Sequence, residues 1–301
     1  MSVRTETRLR PPGPNLGFAG GFRVFRRDPL GFLLKTARTY GDVAWFRIGP
    51  FDLYLLSHPD HVRDLLVAGA HSVAKSQILQ EARRILGDGL LPSEGDVHKL
   101  RRRLIQPVFH HQRIESYGKV MAEYAGRASE GWRDGQQLDL HQELMGLTLA
   151  IVGKTLFGTD VEETAARRVA SSLQTMLGMY DRFMLPFAGY LEHLPLPSNR
   201  RFWEAKSSLD EVVFGLIRDR RATGDRGDLL SMLLSARDEE NGHGPMGMTD
   251  QQVRDEATTL FLAGHETTAI ALTWTFYLLS QHPEVEKRLH QELEEVLGDR
   301  L

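Results

Sequence analysis

Thr249-Asp250-Gln251-Gln252-Val253-Arg254-Asp255-Glu256-Ala257-Thr258-Thr259-Leu260-Phe261-Leu262-Ala263-Gly264-His265-Glu266-Thr267-Thr268-Ala269-Ile270-Ala271 begins the stretch that decides the fold. Thr249, with Gln252 three residues on, fits a capping box that opens a helix. His282-Pro283 stops it, because the residue before proline is pushed out of helical geometry. The reading is one helix over 250–280, a rod of about 46 Å at the usual rise per residue. With Ala263 at zero on a helical wheel, Thr267 falls near 40°, Ala271 near 80° and Gly264 near 100°. These four share a face with almost no bulk and a single hydroxyl, while His265, near 200°, points the other way. Such a face lets a flat, large group approach the backbone. Thr267 is placed to bond back to the Ala263 carbonyl and to loosen the helix there. The alternative is tight helix–helix packing through small residues. A membrane span is disfavoured by the cost of Glu266 at mid-span. A His-Glu zinc motif fails because position 269, where the second His must stand, is Ala.

The composition sets wider limits. The chain has 301 residues, 41% hydrophobic and 26% charged, an ordinary globular balance. Cys is 0, which excludes disulfides, zinc ribbons, iron–sulfur clusters and a thiol nucleophile from this chain. Net charge is −3, so no broad basic field draws nucleic acid. Met1 to Arg10 is polar, with no apolar run behind it, so a secretory signal or N-terminal membrane anchor is not expected and the cytoplasm is.

Pro11-Pro12-Gly13-Pro14 is a stiff, non-helical lead-in. Helix is expected over 29–39, then a β-hairpin from Val43–Ile48 and Asp52–Leu56 around Gly49-Pro50-Phe51, then a helix opened by Pro59. Beyond it the pattern predicts helices over 79–86, 96–106, 113–132, 140–157, 162–179, 200–222, 227–237 and 283–297. Leu185–Ser198 and Arg237–Met248 read as loops. The fold class is mainly α with a small N-terminal β-sheet.

A second feature is Gly95-Asp96-Val97-His98-Lys99-Leu100-Arg101-Arg102-Arg103-Leu104. His98 and Arg102, four apart, lie on one helical face and offer an imidazole and a guanidinium to one anion. A solvated basic face or a phosphate patch is the alternative.

Taken together, these features resemble the cytochrome P450 family of heme-thiolate monooxygenases, in its bacterial soluble form. Ala263-Gly264-His265-Glu266-Thr267-Thr268 is similar to the oxygen-activating motif of that family's long I helix. His98-x-x-x-Arg102 with Pro107-Val108-Phe109 is similar to its C helix, with His where many members carry Trp. Tyr40-Gly41-Asp42-Val43, Gly87-Asp88-Gly89-Leu90-Leu91, Asp228–Leu234 and His282-Pro283-Glu284-Val285 agree in order. The family continues into a helix with Glu-x-x-Arg and a loop whose Cys ligates iron. The spacings Glu81…Arg84 and Glu130…Arg133 precede the I helix and are chance matches. The resemblance thus implies a single incomplete domain over 1–301, with a β-containing region over 1–70 and a helical region over 71–301. It corresponds to a C-terminally truncated cytochrome P450 fold, its N-terminal two-thirds.

The resemblance implies heme b as cofactor, with no metal ligand from this chain, since the axial Cys is absent. It implies insertion of one oxygen atom from O2 into an apolar small molecule. Electrons would come from NAD(P)H through a ferredoxin or flavin reductase partner. Thr267 would hold the oxygen species and its water, and Glu266 would relay protons. Ala263 and Gly264 would make room, and His98 and Arg102 would pair the propionates. The substrate surface would include Met176, Met179, Tyr180, Phe183, Met184 and Phe187, residues that otherwise read as helix-face core. The chain alone is expected to be inactive, poorly folded or heme-free. A non-enzymatic helical binding or regulatory protein derived from the same fold is the alternative.

Overall fold

The computed structural model describes residues 10–158, 163–179, 194–238 and 246–298. They form a mainly α structure with a two-stranded antiparallel sheet near the N-terminus. The chain divides into two compact units, Met1–Ala74 and Lys75–Leu301.

The first unit runs α1 (Gly17–Arg27), α2 (Pro29–Tyr40), β1 (Val43–Ile48), β2 (Phe51–Leu56) and α3 (Pro59–Arg63). The hairpin pairs Val43 with Leu56 through Ile48 with Phe51, so Phe51 belongs to β2 and the turn is only Gly49-Pro50. Asp28 caps α2 by accepting the Gly31 N–H at 2.9 Å, and Pro29 fills the first turn, where its missing N–H costs nothing. Phe32 of α2 meets Phe46 of β1 edge-on at 5.0 Å. Helix α1 is absent from the expected elements, because Gly17, Gly20 and Gly21 argue against a helix. Tertiary contact explains it: a Cβ on Gly21 would lie 2.2 Å from the Arg47 carbonyl oxygen, so the bare residue lets α1 rest on β1.

The second unit begins with α4 (Gln77–Glu81) and α5 (Arg83–Leu86), where one helix was expected, and continues through a turn into α6 (Gly95–Ile105). Then come α7 (His111–Glu130), α8 (Leu140–Phe157), α9 (Glu163–Leu177), α10 (Pro197–Thr223) and α11 (Leu229–Ser235). A two-residue ladder, β3 (Arg237–Asp238) with β4 (Met246–Gly247), interrupts what reads as pure loop. The chain then forms α12 (Asp250–Gln281) and α13 (Pro283–Leu297). Pro197 opens α10 instead of belonging to the preceding loop, as a first-turn proline can.

The capping box at Thr249 and Gln252 is present, and α12 is unbroken over its 32 residues. The Thr267 hydroxyl does donate to the Ala263 carbonyl, at 2.5 Å, but the helix is not loosened by it. Helix α12 packs chiefly on α8 and also on α10 and α11. Their shared core holds Val152, Phe157, Leu209, Val213, Ile217, Leu229, Leu233, Val253, Ala257 and Phe261. Inside it, Arg220 bonds Ser231 Oγ at 2.6 Å and the Phe157 carbonyl at 2.9 Å and pairs with Asp228. Among the described residues no helix is long and apolar enough to cross a membrane.

Candidate functional site

The site begins where α12 changes character. From Val253 to Phe261 nearly every residue is buried, whereas Ala263, Thr267, Thr268 and Ala271 are exposed. Ala263 and Thr267 therefore form a bare patch, as the wheel predicted. It is shorter than expected: Ile270 falls within about 20° of Ala263 on the wheel and is 39% exposed. The flat surface is one turn long, between Leu260 and Ile270. Gly264 lies to one side of it. A Cβ there would stand 2.9 Å from Val152 Cγ2, so its bareness serves the contact with α8. For Gly264 this contact is what small-residue packing expects.

His265 is buried, away from the bare face as the wheel placed it, and is hydrogen-bonded to the Met145 backbone of α8. Burial pushes its pKa down, and that hydrogen bond opposes the shift. Glu266 is half-buried beside the patch.

Helix α6 borders the same side of the rod. Glu256 precedes Ala263 by two turns and lies within about 20° of it on the wheel. Its Oε1 stands 3.5 Å from Arg101 Nε of α6. Arg101, His98, Arg102 and Ile105 span about 100° of α6, so the helix that meets Glu256 carries the imidazole and guanidinium at that same edge. His98 is half-buried, and its Nδ1 is 3.1 Å from the Leu90 carbonyl oxygen. Arg102 is exposed and lines an open groove of about 670 Å³ with Lys99, Leu100 and Arg103.

The turn between α5 and α6 rests on α12. Asp88 N–H donates to Asp255 Oδ2 at 3.0 Å and Leu90 N–H to Glu256 Oε2 at 2.9 Å. Only glycine suits positions 87 and 89 here. Gly87 has φ +66°, and a Cβ would strike the Asp255 carboxylate; at Gly89 it would lie 2.5 Å from Thr259 Oγ1. Arg254 completes the buried cluster, paired with Asp210 of α10 and with Asp255. Burial pushes Glu256 from its ordinary 4.5 to about 7, although the Leu90 N–H and Arg101 both favour the carboxylate.

Arg101, Asp255 and Glu256 carry no sequence signal that singles them out; the nearest clue is the pair of glycines at 87 and 89. Of the expected substrate residues, Met176 is fully buried in the core and Met179 packs against it half-buried. Tyr180, Phe183, Met184 and Phe187 lie outside the described residues.

Heme fits only some of what is present. The bare turn suits the face of a flat ring, and His98 and Arg102 suit its carboxylates. The axial thiolate has no donor here, since Cys is 0.

Known proteins point the same way. Residues 9–301 match the family model described as Cytochrome P450. Cyclooctatin synthase of Streptomyces melanosporofaciens is 38% identical over 292 residues, 96% of this chain and 62% of the relative. Cyclooctat-9-en-7-ol 5-monooxygenase of the same organism is 39% identical, over 91% of this chain and 59% of the relative. Pentalenene oxygenase of Streptomyces avermitilis is 36% identical, over 99% of this chain and 65% of the relative. The chain thus spans about three-fifths of the length of these relatives. With the bare turn of α12, the basic edge of α6 and a family match over nearly its whole length, this chain belongs to the cytochrome P450 family.

Proposed function

We propose that this chain forms the oxygen-side face and the propionate-binding helix of a heme-dependent monooxygenase acting on an apolar small molecule. The observation that carries the reading is the exposed Ala263–Thr267 turn on a helix that α6, the bearer of His98 and Arg102, meets two turns earlier through Arg101 and Glu256. When bound, heme supplies activation of O2 and transfer of one oxygen atom to substrate. Two relatives named for oxygenation, of pentalenene and of cyclooctat-9-en-7-ol, support the reaction class and an apolar substrate.

The chain's own residues would divide the work. Ala263 keeps the ring-facing surface flat. Thr267, whose hydroxyl donates to the Ala263 carbonyl at 2.5 Å, offers its oxygen as an acceptor toward the open side, where it can orient a water. Glu266, half-buried beside it, can take a proton from solvent and pass it to that water. His98 and Arg102 hold the two carboxylates. Met179, half-buried against the core, would border the substrate. Electrons would come from NAD(P)H through a ferredoxin or flavin reductase in the cytoplasm; this chain, with Cys 0, supplies no thiolate.

Hemin titration of the 301-residue chain tests the reading. The His98→Ala, Arg102→Ala double variant is expected to weaken binding about tenfold or more, the loss of two charge-assisted contacts. Measurable hemin binding of equal affinity in the two proteins would remove the assignment. A Soret band at the thiolate–carbonyl position from this chain alone would contradict the thiolate statement.

A further inference from the structure

Leu90 is a joint between α12 and the imidazole of α6. Its N–H donates to Glu256 Oε2 at 2.9 Å, and its carbonyl oxygen stands 3.1 Å from His98 Nδ1. A single residue carries both bonds, so movement at one is passed to the other. Glu256 also holds α6 directly, with its Oε1 3.5 Å from Arg101 Nε. Arg101 follows His98 by three residues on the same side of that helix.

The pair is poorly built for stability. Glu256 is 0% exposed, and neither its Oε1 nor Arg101 Nε makes a hydrogen bond. A buried ion pair of this kind is generally matched or bettered by apolar residues of similar volume. What a carboxylate supplies and an apolar side chain does not is register, because it accepts one particular N–H and faces one particular guanidinium. Lys75 holds the same turn: its Nζ donates to the Leu91 carbonyl at 2.7 Å, the Ser93 carbonyl at 2.6 Å and the Leu90 carbonyl at 3.3 Å, and it stands 3.4 Å from His98 Nδ1. His98 therefore sits at a turn held from α12 by Glu256 and at its carbonyls by Lys75.

We propose that Glu256 is a positioning residue for His98: through Leu90 and Arg101 it sets where the imidazole of α6 stands. The proposal rests on the reading of His98 as a propionate ligand.

The test compares Glu256→Leu and Glu256→Gln in the full chain. Folding is checked by circular dichroism, Leu90 by amide hydrogen exchange, and the His98 ring by its NMR resonance. Hemin affinity is measured in parallel. Glu256→Leu is expected to speed Leu90 exchange about tenfold or more, a local opening. It should also move the His98 resonance and weaken hemin binding about tenfold, as loss of a supporting partner does. Glu256→Gln keeps an acceptor oxygen in place and is expected to restore Leu90 and His98. A folded Glu256→Leu protein with unchanged Leu90 exchange and an unmoved His98 ring overturns the proposal. Should Glu256→Leu not fold, Arg101→Gln decides: a shifted His98 ring over a still-protected Leu90 supports it, and an unshifted ring overturns it. If hemin binding ignores His98 while Leu90 and the ring still answer to Glu256, the positioning stands and the propionate reading fails. If hemin binding needs His98 but neither ring nor affinity answers to Glu256, the positioning fails and the propionate reading stands.

Discussion

The two halves of α12 reverse the usual sorting of side chains. In the first, Arg254, Asp255 and Glu256 are buried at 1%, 4% and 0% exposure. In the second, Trp274, Phe276, Tyr277 and Leu278 are exposed at 60%, 45%, 55% and 52%. The first half crosses the core of the second unit, where each charge meets a partner from another element: Asp210 from α10, Arg101 from α6, Asp88 and Leu90 from the turn. The second half leaves that core, and its apolar side chains face solvent. One helix thus crosses the core at its N-terminal end and lies exposed at the other, with the Ala263–Thr267 turn at the changeover.

The comparison is sharpest at Arg254 and Trp274. Arg254→Met leaves the carboxylates of Asp210 and Asp255 without their shared cation, and is expected to cost about 3–5 kcal/mol in urea denaturation. Gly87→Ala is next. A positive φ and the adjacent Asp255 carboxylate together are expected to cost about 1–3 kcal/mol, measured the same way.

Two titrating residues of the buried stretch should give opposite pH slopes. His265 has its pKa lowered by burial, so the unfolded chain takes the proton first. Stability is expected to fall as pH drops below about 6.5, and His265→Phe should remove that loss. Glu256 is raised to about 7, so the folded chain holds its proton more tightly. Its ionisation is expected to lower stability as pH climbs from about 4.5 toward 7, and Glu256→Gln should flatten that limb. Matched thermal melts across this range check both.

The smallest effect belongs to the exposed half: Trp274→Ser is expected to change stability by no more than about 0.5 kcal/mol. A loss at Trp274 as large as that at Arg254 would erase the distinction between the halves.

Much of the local structure is legible in the chain. The capping box at Thr249, the stop at His282-Pro283 and the hairpin at Gly49-Pro50 each follow from backbone chemistry within a few residues. So does the small-residue turn at Ala263 and Thr267. The buried cluster is not legible, because nothing in Arg254-Asp255-Glu256 distinguishes three buried charges from three solvated ones. Helix α1 was hidden by its glycines for a related reason: their value lies in the approach of β1, which local propensity does not register.

By itself the sequence determined where the long helix starts and stops and which of its turns is bare, since capping, proline and side-chain volume act locally. Only the tertiary structure decided that Gly264 faces α8, that Ile270 shortens the flat patch, and that Glu256 grips the turn before α6. The partners in that grip stand 166 residues apart, and no short-range rule reaches across that distance. Packing alone brings the buried carboxylate to the N–H and the guanidinium that offset part of its desolvation.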